Sequence, residues 1–172
     1  MLGLELSLRD RISRSNFADI FAPPPGDRVF KLMQKITAKQ LVGAEKWIFN
    51  AEVGAYERLK DHPELQRYVP EFFGVVRVDR VINAAGRSIS GKYCLDLCFS
   101  MERLPPDPDE LKYGMFFGMP EWSFLEPIGQ AFEAAGIRSL GDASVLQWRD
   151  GNPKLIDFAL YDAPAQHWKW ET

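Results

Sequence analysis

The sequence predicts an α+β fold with its sheet-forming part first, and three observations carry that expectation. The run Val29-Phe30-Lys31-Leu32-Met33 reads as a strand, and Thr37 then opens a segment of helical periodicity. Much later, Asp150-Gly151 stands between two apolar runs as a hairpin signal. The expected order is β-β-β-α-β-β, followed by a hinge, a helix and a hairpin.

Residues 4–36 read as two or three short strands, interrupted by the turn signal Ala22-Pro23-Pro24-Pro25-Gly26-Asp27. After Thr37, Gln40 stands in capping-box position, and Leu41, Ile48, Ala51, Ala55 and Leu59 recur at helical spacing. This helix is expected to reach about Asp61, with Pro63 just past its end. Two strands follow, Glu71 to Asp79 and Lys92 to Met101, joined by the polar loop from Asn83 to Gly91. Pro105-Pro106-Asp107-Pro108 marks a hinge. A helix over Ser123 to Ala135 carries Phe124, Ile128, Ala131, Phe132 and Ala135 along one side. Strands Ser144 to Trp148 and Lys154 to Phe158 flank Asp150-Gly151, and the tail from Ala163 is polar apart from Trp168 and Trp170. Residues 1–172 are expected to form one domain, divided into 1–104 and 105–172 at the hinge.

Composition excludes several classes. A content of 46% hydrophobic and 26% charged residues is that of an ordinary globular protein. A net charge of -3 gives no electrostatic reason to expect nucleic acid or an anionic membrane as partner. No apolar run approaches the ~20 residues of a membrane helix, and the charged start Glu5, Arg9, Asp10, Arg11 argues against a signal peptide, so a cytoplasmic protein is expected. Cys94 and Cys98 lie in one expected strand, about 13 Å apart at ~3.3 Å per residue, beyond disulfide reach and facing the same side. His62 and His167 stand alone, so no zinc site is expected.

The order of elements and a collinear series of motifs from Ile12 to Ala159 resemble the protein-kinase-like superfamily, especially its small divergent branches. Ile12-Ser13-Arg14-Ser15-Asn16-Phe17-Ala18-Asp19-Ile20 keeps the frame of the family's Gly-rich loop, with Phe17 and Ile20 in place. Lys31 falls where the family keeps its phosphate-pairing lysine, and Glu52, on a helix face with Ile48 and Ala55, matches the glutamate that pairs with it. Glu45 is the alternative partner. Leu97 to Pro105 resembles the last sheet strand entering the hinge. Met101 would be the gatekeeper, and Glu102 to Leu104 would offer backbone groups to the base. Lys154-Leu155-Ile156-Asp157-Phe158-Ala159 resembles the metal-binding Asp-Phe-Gly element, with Asp157 as the Mg²⁺ ligand. The resemblance implies an antiparallel five-stranded sheet with one helix of the αC type. A truncated helical remnant carrying a β-hairpin would follow. It also implies ATP and Mg²⁺ as cofactors, with Ser13, Ser15, Phe17, Lys31, Glu52, Met101, Glu102 and Leu104 around the nucleotide.

The pattern fails at several places. All three glycines of the loop are replaced, by Ser13, Ser15 and Ala18, and side chains obstruct the close approach of phosphate to backbone N–H groups. At the family's usual spacing before Asp157, the catalytic Asp falls on Ser139 and the second metal-binding Asn on Ser144. Asp142, in Leu140-Gly141-Asp142, could serve as the base only if the loop is shortened. A positioned base contributes roughly 10²–10⁴-fold in rate, so its loss leaves a trace of activity at most. Only 15 residues follow Asp157, too few for an activation segment. The expectation is therefore a pseudokinase-type binding or regulatory module with weak or absent ATP and Mg²⁺ binding. Its partner would be another protein, heterologous or a second copy, meeting the Ser123–Ala135 helix if the Trp168–Trp170 tail does not cover it. The alternatives are a minimal active phosphotransferase using Asp142, and a structural domain with no ligand.

Overall fold

Among the described residues, ten segments between Glu5 and Ile82 or between Tyr93 and Ile156 adopt extended structure, but they do not all join one sheet. The computed structural model describes residues 3–37, 43–106, 110–112, 120–137 and 143–158. The chain divides into two compact units, residues 1–49 with 72–103, and residues 50–71 with 104–172.

In the first unit, β2 (Arg11–Arg14), β3 (Ala18–Phe21), β4 (Arg28–Gln34), β5 (Phe72–Val76) and β7 (Tyr93–Glu102) form a five-stranded sheet of order β2-β3-β4-β7-β5. Every pairing in it is antiparallel. This is the mixed α+β architecture with the five-stranded antiparallel sheet that the sequence predicts. Two strands lie outside that sheet: β1 (Glu5–Ser7) pairs in parallel with β6 (Arg80–Ile82), a pairing that the sequence does not announce. Leu6 and Val81 of this pair join Phe21, Leu32, Val78, Tyr93 and Cys98 in one buried cluster.

Register assigns the sheet's faces. Phe21, Leu32 and Cys98 point into that cluster, whereas Lys31 stands opposite Ile20 and Phe99 on the other face. There the Phe99 ring packs against Phe49, 6.1 Å between centroids, from helix α1 (Ala44–Leu59). A bulge breaks the alternation of β7: two residues of β4, Leu32 and Gln34, pair with Cys98 and Tyr93, five residues apart. Because an odd offset exchanges faces, Tyr93 and Cys98 share the buried cluster. The Cys94 Sγ lies 4.0 Å from Glu45 Oε1 of α1. The two cysteines therefore do not face the same side, contrary to the expectation from simple alternation. Both are free thiols.

Helix α1 begins in the first unit and ends in the second. Its inward positions Ile48, Glu52, Ala55, Tyr56 and Leu59 are buried, at the i, i+4, i+7 spacing of one face. The expected capping residues around Gln40 lie outside the described residues. Pro63 does not merely follow this helix: it opens a short helix α2 (Pro63–Gln66), where its missing N–H has no partner to lose.

In the second unit, a 3-10 turn over Pro120–Leu125 leads into α3 (Glu126–Ala134), and Ile128 and Phe132 are buried. The helix ends on Gly136 at φ 83°, with Gly136 N–H donating to Glu133 O and Ile137 N–H to Phe132 O. That left-handed stop suits glycine. Strands β9 (Ser144–Leu146) and β10 (Lys154–Ile156) pair antiparallel with Val145 opposite Leu155, and Gly151 lies in the turn at φ 75°. The hairpin is as the sequence predicts, although its turn is a longer one holding a 3-10 helix over Trp148–Asp150. A further strand, β8 (Leu111–Lys112), pairs with β9.

Candidate functional site

The β2–β3 hairpin occupies the frame of the glycine-loop motif, and its turn is closed by its own side chain. The Ser15 Oγ accepts hydrogen bonds from Phe17 N–H (3.3 Å) and Ala18 N–H (3.0 Å) and donates to Ala18 O (3.1 Å). The Ser15 N–H also donates to Ala18 O, at 2.8 Å. Serine does this in turns because its hydroxyl reaches backbone groups two and three residues on. In this geometry the turn offers none of these three N–H groups to a phosphate. Ser13 is exposed at the sheet edge and Phe17 is half-buried.

Behind the turn lies a network that sequence reasoning missed. Asp19 is 1% exposed, and its carboxylate accepts from three side chains. Arg11 Nη1 lies 3.1 Å and the Tyr93 hydroxyl 2.7 Å from Oδ2, and Gln34 Nε2 lies 2.7 Å from Oδ1. Burial and the Asp19 carboxylate together push the Tyr93 phenol well above its ordinary value. Gln34 reaches further: its backbone N–H donates to Phe17 O at 2.8 Å and its Nε2 lies 3.3 Å from Ser15 O. The available signal was an aspartate inside an otherwise apolar strand, Ala18-Asp19-Ile20-Phe21, since such residues are seldom buried unless paired.

Lys31 is 5% exposed on β4, with its Nζ 5.9 Å from the Phe99 ring centre. Met101 is buried on β7 opposite Val29, so register brings Lys31 and Met101 to the same sheet face. Glu45, the alternative partner for Lys31, turns instead towards Cys94, and its Oε2 has no hydrogen-bond partner. At the hinge, Glu102 pairs with Arg28, and Arg103 N–H donates to Asp27 O at 2.6 Å, so this backbone donor is committed. Leu104 is half-buried.

In the second unit, the Glu52 (1% exposed) and Asp157 carboxylates each act electrostatically on Tyr56. Burial first, and then the Glu52 and Asp157 carboxylates, raise the Tyr56 phenol far above the ordinary range, which keeps it a neutral donor. Tyr56 packs on Phe158 at 4.9 Å, and Phe158 on Phe132 at 6.1 Å. Asp157 follows β10 with φ 57°, a left-handed conformation that costs a non-glycine residue of order 1–3 kcal/mol. Its side chain is half-buried. Ser144, where the resemblance expects a metal-binding Asn, is buried at the start of β9 opposite Ile156. Asp142 and Ser139 lie outside the described residues. Among the described residues, no group of three His, Cys, Asp or Glu side chains converges as a metal site, and no helix is long and apolar enough to cross a membrane.

No protein-family model matches the chain, and no curated protein sequence matches it.

Proposed function

We propose that the chain is a protein-kinase-like module of the pseudokinase type, acting through binding of another protein, with ATP and Mg²⁺ bound weakly or not at all. The observation that carries the reading is the β2–β3 turn, whose Phe17 and Ala18 N–H groups are already bonded to Ser15 Oγ. A phosphate chain there would have to break bonds already made and would meet side chains where the family has glycine. The committed Arg103 N–H and the serine at position 144 point the same way. The reading takes Lys31 and Glu52 each as a compensated charge, because both are buried and burial is tolerated only when a charge is compensated. Calorimetry with ATP and Mg²⁺ tests it: the expected dissociation constant is weaker than about 1 μM. A sub-micromolar value would overturn it.

A second reading, a minimal phosphotransferase with Asp142 as base, is favoured by one observation. Asp157 holds a left-handed conformation, and such outliers collect at functional sites. Transfer of radiolabel from ATP to the protein, abolished in Asp142→Asn, would establish it. Absence of transfer is the outcome expected here.

A further inference from the structure

We infer that Gln34, backed by Asp19, is a latch that holds the β2–β3 turn closed against phosphate. The inference rests on the nucleotide-site reading of that turn and explains how its weak binding would be maintained. Replacing glycines crowds a loop, but crowding alone leaves backbone N–H groups free to turn outward. Here, besides the bond from Ser15 Oγ to Ala18 O, five hydrogen bonds hold the segment. Ser15 Oγ accepts from Phe17 N–H and Ala18 N–H, and Ser15 N–H donates to Ala18 O. Gln34 then takes the two outer carbonyls: its backbone N–H donates to Phe17 O and its Nε2 to Ser15 O.

The Gln34 amide is not free to swing away. Its Nε2 is also 2.7 Å from Asp19 Oδ1, and that carboxylate is fixed by Arg11 from β2 and by Tyr93 from β7. The bonds to Asp19 are charge-assisted and therefore stronger than those between neutral groups. One side chain on β4 thus couples the turn to a buried anion that three strands hold in place. Gln34 is a positioning residue: it acts on the N–H groups only through the conformation of the turn.

The test uses the full chain in four forms: wild type, Ser15→Thr, Gln34→Met, and the double variant Ser15→Gly/Gln34→Met. Amide hydrogen exchange at Phe17 and Ala18 is read against amides in the β4–β7 pairing, which report whether the sheet is still folded. Binding is read with inorganic triphosphate and, separately, with ATP and Mg²⁺. Exchange at the turn is expected to speed up about tenfold in Gln34→Met and more in the double variant, and to stay near wild type in Ser15→Thr, which keeps the hydroxyl. Triphosphate should bind the double variant at least about tenfold more tightly than wild type. Unchanged exchange in Gln34→Met would overturn the latch. Faster exchange without tighter triphosphate binding would show that the latch does not guard a phosphate site, overturning the inference while leaving weak nucleotide binding intact. Tight triphosphate binding by wild type would overturn the underlying reading itself.

Discussion

Asp19 concentrates the consequences of a single side chain. Its carboxylate satisfies Tyr93, Gln34 and Arg11 at once, so Asp19→Ala leaves the buried Tyr93 hydroxyl without this acceptor and takes from the half-buried Gln34 amide one of its two bonds. Each such group costs about 1–3 kcal/mol, and the variant is expected to lose about 3 kcal/mol of stability in urea unfolding. A change below about 1 kcal/mol would mean that water replaces the carboxylate. Lys31 and Glu52 provide the complementary case. Removing a buried charge leaves the group that compensates it unpaired, at a cost of about 3–5 kcal/mol, so Lys31→Met and Glu52→Gln should each lower the melting temperature markedly. If both variants melt like wild type, neither charge is held by a buried partner. At this scale the sequence was legible where position along an element decides burial. Helical spacing turned Glu52 inward with Ile48 and Ala55. It was silent on Gln34 and Tyr93, because their partner, Asp19, is brought to them only by strand pairing across residues 15 and 74 apart in sequence.

Among elements, the β9–β10 hairpin is the piece on which the reading of Asp157 depends. Leu155 is fully buried, and its N–H donates to Tyr68 O at 2.7 Å, just after α2, while Lys154 Nζ lies 2.9 Å from Val69 O. The hairpin is therefore tied into the second unit by both backbone and side chain. Leu155→Ala should cost about 2–5 kcal/mol, the range for a large-to-small change at a packed site. Thermal unfolding followed by circular dichroism checks this, and a loss under about 1 kcal/mol would show the hairpin to be peripheral. Strand existence was readable from apolar runs and turn residues, as with Val29–Met33 and the Asp150-Gly151 turn. Pairing was not. Nothing local distinguishes Glu5–Ser7 as the parallel neighbour of Arg80–Ile82, or reveals the bulge that sends Cys94 and Cys98 to opposite faces. Both depend on contacts between distant segments, which a period-two pattern does not encode.

For the whole molecule the clearest consequence of burial is alkaline lability, and each unit carries its own source of it. In the first, burial pushes the Cys98 thiol up to about 12 from 9.0, and Tyr93 rises through burial and its bond to Asp19. In the second, Tyr56 rises through burial and the nearby carboxylates. All three groups are acids that are neutral when protonated, so the folded state holds their protons more tightly than the unfolded chain does. Well below pH 9 both states keep these protons and the groups add no pH dependence. As pH rises beyond that, the unfolded chain releases protons that the folded state retains, and stability falls continuously towards pH 12 and above. Melting temperature should therefore decline steadily from pH 9 upward. In an alkaline titration Tyr56 and Tyr93 should ionise only together with the loss of circular dichroism. Tyr93→Phe removes one ionisable group but also the hydroxyl bonded to Asp19, so it should be less stable at neutral pH yet show a shallower alkaline decline. Complete phenolate formation in a protein that keeps its native spectrum would show that these side chains are reached by water without unfolding, and the packing around Tyr56 and Tyr93 would then be looser than described.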